Sequence, residues 1–151
     1  MLIYLMRHGE TDWNKARRLQ GQSDIPLNEY GIELAVKTAE ALADVDFDMA
    51  FCSPLGRAEE TARIILGNRK TPLYRDIRLK EINFGTNEGI CFDAAKQNPE
   101  DPLHDFFCNP ESYLPPEGAE SFAQVAERGR GFLREKILPL EGSCETILMV
   151  A

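Results

Sequence analysis

The sequence predicts an α/β fold, a three-layer αβα sandwich around a largely parallel central sheet, and three observations carry that expectation. Short apolar runs at Leu2–Met6, Met49–Cys52 and 146–151 have the unbroken pattern of strands buried on both faces of a parallel sheet. Between them lie stretches whose apolar residues recur at helical spacing. Strands that alternate with amphipathic helices need crossover connections, and crossovers produce parallel neighbours.

Each element has its own justification. The first strand stops abruptly at Arg7-His8-Gly9, and residues 9–27 are polar, broken by Gly21 and Pro26, as suits a long functional loop. Asn28 is placed to cap a helix running to about Asp44, with Ile32, Ala35, Ala39, Leu42 and Ala43 on its apolar face. After the second strand, Ser53-Pro54 reads as cap and first-turn proline of a helix whose core face is Ala58, Ala62, Ile65 and Leu66 and which Gly67 ends. Residues 73–76 are a weak third strand. The stretch 92–116 carries Pro99, Pro102, Pro110, Pro115 and Pro116 and reads as an irregular insertion or lid over the sheet. Ser121 caps a last helix to about Leu138, with Phe122, Val125, Ala126, Gly129, Phe132, Leu133 and Ile137 as its apolar stripe. There is no repeat or linker, so 1–151 is read as one domain.

Composition narrows the function classes. With 17 Lys and Arg against 25 Asp and Glu the net charge is −8, and 43% hydrophobic with 28% charged residues is an ordinary globular balance. An acidic chain is a poor general binder of nucleic acid or anionic membrane. The opening apolar run is too short for a membrane span or signal segment, which makes the cytoplasm the expected compartment. Cys52, Cys91, Cys108 and Cys144 form no C-x-x-C pair, and His8 and His104 are the only histidines, so neither a metal nor a redox cofactor is expected.

In open parallel sheets ligands bind beyond the carboxyl ends of the strands, which points at Arg7-His8-Gly9 and at the segment from Ser53 to Arg57. Gly9 would let the backbone approach a ligand closely. Arg57 falls in the first turn of a helix, where free N–H groups and the helix dipole already favour an anion. A phosphate would satisfy both the guanidinium and the helix end; a surface ion pair with Glu59 or Glu60 would account for the same residue without any ligand.

Arg7-His8-Gly9-Glu10-Thr11 with Trp13-Asn14, then Gln20-Gly21, Asp24-Ile25-Pro26-Leu27, Gly31, Ser53-Pro54-Leu55 with Arg57-Ala58 and Thr61-Ala62, resembles the successive motifs of the histidine phosphatase superfamily, also called phosphoglycerate mutase-like. Leu79-Lys80-Glu81, Phe84-Gly85, Glu88-Gly89 and residues 116–121 are similar to its later motifs. The order is kept through essentially the whole chain. The resemblance implies a metal-independent phosphomonoesterase acting on a small phosphorylated metabolite through a phosphohistidine.

His8 matches the nucleophile, with one ring nitrogen held as N–H by a backbone acceptor near Gly9. Arg7 and Arg57 match the arginines that bind phosphoryl oxygens, and Asn14 and Gln20, with Gly21 beside them, match further phosphate contacts. Glu81 matches the acid that protonates the leaving oxygen, for which partial burial and a raised pKa are expected.

The segment after Glu81 and the compact insertion resemble the short phosphatase branch. Asn87 stands where that branch often has tryptophan, and Ala119 also departs from its motif. A cofactor-dependent phosphoglycerate mutase and a non-catalytic phosphate-binding protein on the same scaffold are the alternatives. The family carries a second histidine, followed by glycine, directly after the strand that 146–151 resembles; that strand at the chain end would leave an open sheet edge, so a longer natural chain is expected.

Overall fold

A computed structural model describes residues 1–151. Four strands form one wholly parallel sheet: β1 (Leu2–Met6), β2 (Met49–Cys52), β3 (Leu73–Arg75) and β4 (Thr146–Val150), in the spatial order β1-β4-β2-β3. The last strand is therefore central. Leu148 pairs with Tyr4 on one side and Ala50 on the other.

Alternation along the strands divides the core into two faces. Ala50, Cys52, Leu148 and Val150 pack with Ala58, Ala62, Ile65 and Leu66 of α3 (Gly56–Leu66), the stripe expected from the sequence. Phe51, Ile147 and Met149 face the other way, onto Phe132 of α6 (Phe122–Phe132) and onto Ile137 in the π-helical turn that continues it. Helices cover both faces, which is the three-layer α/β architecture. None is long and apolar enough to cross a membrane.

Several sequence expectations need correction. β1 was expected to be buried on both faces, yet Leu2, Ile3 and Leu5 are exposed, because only Tyr4 and Met6 pack against the cluster on the α3 side and no β1 residue joins the cluster on the opposite face. The strand at 146–150 was expected to form the open edge and is instead enclosed between β1 and β2. The loop 9–27 contains a one-turn helix, α1 (Asp12–Lys15), made possible by Thr11 acting as a capping box with Asn14. Helix α3 starts at Gly56 with Leu55 as its N-cap, not at Ser53.

In α2 (Glu29–Ala41) the expected Asn28 cap is present, accepting from the Gly31 N–H, but only Ala35 of the expected stripe is fully buried. Likewise the stripe of α6 buries Phe132, whereas Phe122 and Leu133 are exposed. Residues 92–116 are not simply irregular. They contain α4 (Phe92–Gln97) and α5 (His104–Cys108), and Ala95, Leu103 and Tyr113 join Leu19, Ile82 and Phe84 in a separate apolar cluster beside the sheet.

Candidate active site

His8 sits just beyond the carboxyl end of β1, where its backbone N–H donates to the Ala151 carbonyl at 2.9 Å and prolongs the pairing with β4. Its side chain is 8% exposed. Ring Nδ1 lies 2.7 Å from the Gly9 carbonyl, which fixes the tautomer with the proton on Nδ1 and leaves a lone pair on Nε2. Nε2 is buried and has no partner. Burial lowers the His8 pKa to about 4; Arg57 and Arg7 push the same way, against the raising effects of the Gly9 carbonyl and Glu81. The imidazole is thus neutral at pH 7 and can act as a nucleophile.

Arg57 occupies the first turn of α3 and is 1% exposed. Its Nη1 donates to the Ser23 carbonyl and its Nη2 to the Gly21 carbonyl, each at 2.7 Å. Nε is buried without a partner. The alternative of an ion pair with Glu59 or Glu60 is not what forms: Glu59 pairs with Arg63 and Arg75. Burial lowers the Arg57 pKa, with Glu81 and Asp24 opposing the shift. The direct hydrogen-bond partners of this buried guanidinium are neutral carbonyls, so an anion brought against it would be stabilised. Only three buried side-chain N or O atoms lack a partner, and two of them are His8 Nε2 and Arg57 Nε.

The loop between β1 and α2 is locked around these two residues. Thr61 Oγ1 donates to the Arg57 carbonyl and accepts the Gly9 N–H at 3.0 Å, tying the loop to α3. Thr11 Oγ1 donates to Gln20 Oε1 at 2.7 Å, and the Thr11 N–H donates to Asn14 Oδ1 at 3.0 Å. Both amide carbonyls are thereby committed, and their N–H₂ ends remain as donors. A Cβ on Gly9 would lie 2.6 Å from the Gly31 carbonyl oxygen, so the glycine permits a close approach to the backbone of α2.

Sequence reasoning assigned no role to Glu88. Its Oε1 accepts the Gln22 N–H at 2.7 Å and its Oε2 accepts the Ser23 N–H at 2.7 Å and the Ser23 hydroxyl. These bonds shape the turn whose carbonyls hold Arg57. Gly21, at φ +53°, is where that turn passes Glu88, and a Cβ would fall 2.1 Å from Oε1.

A cavity of about 210 Å³ brings together Arg7, Asn14, Gln20, Gly21 and Glu81. Arg7 also lines a second cavity of about 290 Å³ with His8 and Thr61. A larger one, about 370 Å³, beside β3 shares no residue with this set. Glu81 departs from expectation: it lines the cavity but is exposed, with Oε1 turned back to accept the N–H of the next residue, Ile82. His104, in α5, borders none of these cavities. No cluster of three or more His, Cys, Asp or Glu side chains is arranged to hold a metal.

A neutral imidazole with a free lone pair beside two guanidiniums can attack phosphorus and stabilise the charge on its oxygens. Known proteins can be compared with this geometry. The family model described as "Histidine phosphatase superfamily (branch 1)" matches residues 3–151. A Yersinia pestis (strain Pestoides F) protein named "Probable phosphoglycerate mutase GpmB" is 38% identical over 126 residues, 83% of this chain and 58% of that protein. The chain thus spans under two thirds of the length of such curated relatives. Among solved structures, Bacillus stearothermophilus YhfR superposes with a TM-score of 0.89 at 38% identity, covering 99% of this chain and 72% of the other. The α-ribazole phosphatase from Shigella flexneri gives 0.87 at 32% identity, covering 100% and 73%.

Proposed function

We propose, for a chain that belongs to branch 1 of the histidine phosphatase superfamily, that the site hydrolyses phosphomonoesters of small metabolites through a phosphohistidine at His8, without a metal ion. The observation that carries this reading is the pair of buried, partnerless nitrogens, His8 Nε2 and Arg57 Nε. His8 Nε2 attacks phosphorus, the ester P–O bond breaks, and Glu81 gives its proton to the leaving oxygen. Water then attacks the phosphohistidine, losing a proton to the Glu81 carboxylate, which releases phosphate and restores neutral His8. Arg7, Arg57, Asn14 and Gln20 bind the phosphoryl oxygens, and Gly21 acts through its carbonyl on Arg57. Phosphoryl transfer needs chiefly positioning and charge stabilisation, which these donors supply.

The test is turnover of p-nitrophenyl phosphate in the presence of chelator by the natural full-length protein. Activity that survives chelation and disappears in His8→Ala supports the reading, and an active His8→Ala enzyme overturns it. A mutase reading is favoured by the names of the Yersinia relatives. It requires that 3-phosphoglycerate be isomerised in the presence of a bisphosphorylated primer, whereas the phosphatase reading requires release of inorganic phosphate.

A further inference from the structure

Glu81, the acid of the proposed reaction, has no element of secondary structure to hold it. Residues 80–84 follow the short 3₁₀ turn Ile77–Leu79 as irregular chain outside the sheet, and no backbone N–H reaches the Glu81 carbonyl. Its partners are two side chains: Arg128 Nη2 donates to it at 3.1 Å and Gln22 Nε2 at 3.2 Å. The Glu81 carboxylate has one bond, from the Ile82 N–H. Its aim at a leaving oxygen therefore depends on where its main chain is held.

Arg128 projects from α6 and is itself fixed. Its Nε and Nη2 donate to the two carboxylate oxygens of Glu120 at 2.9 and 3.0 Å, a bidentate pair whose side chains are only 18% and 21% exposed. Its Nη1 donates to the Arg78 carbonyl at 2.6 Å, so one guanidinium bridges the carbonyls of residues 78 and 81. Glu120 holds the same segment further along. Its Oε2 accepts the Asn83 N–H at 2.9 Å, and its own N–H donates to the Asn83 carbonyl at 2.8 Å. Gln22 links this segment to the phosphate side, since its backbone N–H is held by Glu88 in the turn whose carbonyls bind Arg57.

We propose that Arg128, braced by Glu120, is a positioning residue for proton transfer by Glu81, a proposal that rests on the phosphomonoesterase reading with Glu81 as its acid. Arg128 lines neither cavity at the site. It acts through the Glu81 main chain, and with Gln22 it fixes the distance between the proton donor and the residues that bind phosphate. An arginine suits the task because its planar fork reaches Glu120 and two carbonyls at once, which the point charge of a lysine does not. Displacing a reacting group by about 1 Å can cost about 100-fold in rate. That cost falls on substrates whose leaving oxygen needs the proton.

The experiment compares Arg128→Met with the unsubstituted full-length protein by kcat/KM for two esters, glycerol 2-phosphate, whose alkoxide needs protonation, and p-nitrophenyl phosphate, whose phenolate needs little. Hydrogen exchange of residues 79–84 is followed beside it. Arg128→Met is expected to slow glycerol 2-phosphate about 10- to 100-fold and p-nitrophenyl phosphate less than about threefold, with faster exchange in 79–84. In a Glu81→Gln background the same substitution should cost almost nothing further, because both changes act on one proton transfer. Arg128→Lys keeps a cation beside Glu120, so it reads the same selectivity even if Arg128→Met does not fold, and it should lose less. Equal losses on both esters in a folded variant, a full additional loss in Glu81→Gln, or unchanged kinetics overturns the proposal. An unsubstituted protein that hydrolyses neither ester overturns the phosphatase reading; exchange then decides whether Arg128 holds the Glu81 segment, which stands if substitution speeds exchange at 79–84 and falls if it does not.

Discussion

The protonation of His8 makes a prediction about stability that depends on the burial of one ring. The folded-state pKa is lowered from 6.5 to about 4. Between those values the unfolded chain binds a proton that the folded chain refuses, so stability is kept above the unfolded pKa and lost as pH falls toward the folded one. At 1.36 kcal/mol per pKa unit, the full window is worth about 3 kcal/mol, of which about 2.5 is lost by roughly pH 4.5.

His8→Gln keeps a polar side chain at the site and removes the titration. Urea unfolding of both proteins at about pH 7.5 and 4.5 isolates this group, because the carboxylates titrate in both. Wild type should lose about 2.5 kcal/mol more than His8→Gln over that interval. Parallel losses would refute the reasoning, showing that His8 is hydrated enough to charge in the folded protein. An imidazole that stays neutral down to about pH 5 also cannot set an acid limb of kcat/KM between about pH 5 and 7, so a limb there belongs to substrate or another group.

Two further substitutions separate positioning from chemistry. Glu88→Ala removes the carboxylate that orders Gln22 and Ser23, and loss of charge-assisted bonds of about 1.5–3 kcal/mol should weaken vanadate inhibition by about 10- to 100-fold; partial rescue in Glu88→Gln is expected, and unchanged inhibition constants would show that the turn holds Arg57 without it. Glu81→Gln should slow alkyl phosphates about one to two powers of ten more than p-nitrophenyl phosphate, whose leaving phenolate needs little protonation; equal losses on both substrates would make Glu81 a positioning residue.

The legible parts of the molecule were those governed by local pattern. Ala58, Ala62, Ile65 and Leu66 recur at helical spacing, and all of them are buried against the sheet. The hydrogen bond from His8 Nδ1 is to the adjacent residue and needs no tertiary knowledge. Burial of β1 could not be read the same way, because an apolar run does not state which of its faces a helix will cover. Helix α1 was hidden by its length, since four residues show no period and only Thr11 and Asn14 announce the cap. Glu88 acts across 66 residues on Gln22, a relation without a local signal, although a carboxylate next to Gly89 could have marked a turn. The ring contacts among Phe84, Phe92, Phe106 and Phe107 likewise join residues whose spacings follow neither helix nor strand. Exposure of Glu81 was missed because its role, not its surroundings, set the expectation.

The central claim is a covalent phosphohistidine on His8, and the most direct measurement is to trap it. The full-length protein is mixed with excess phosphomonoester, quenched in alkaline denaturant, where a nitrogen–phosphorus bond survives, and digested for peptide mass spectrometry. The account predicts one phosphoryl group on His8, lost on mild acid treatment and absent from His8→Gln and from His104. A phosphoryl group on another side chain, or turnover through a quench that traps none on His8 while phosphorus–nitrogen standards survive, would contradict it.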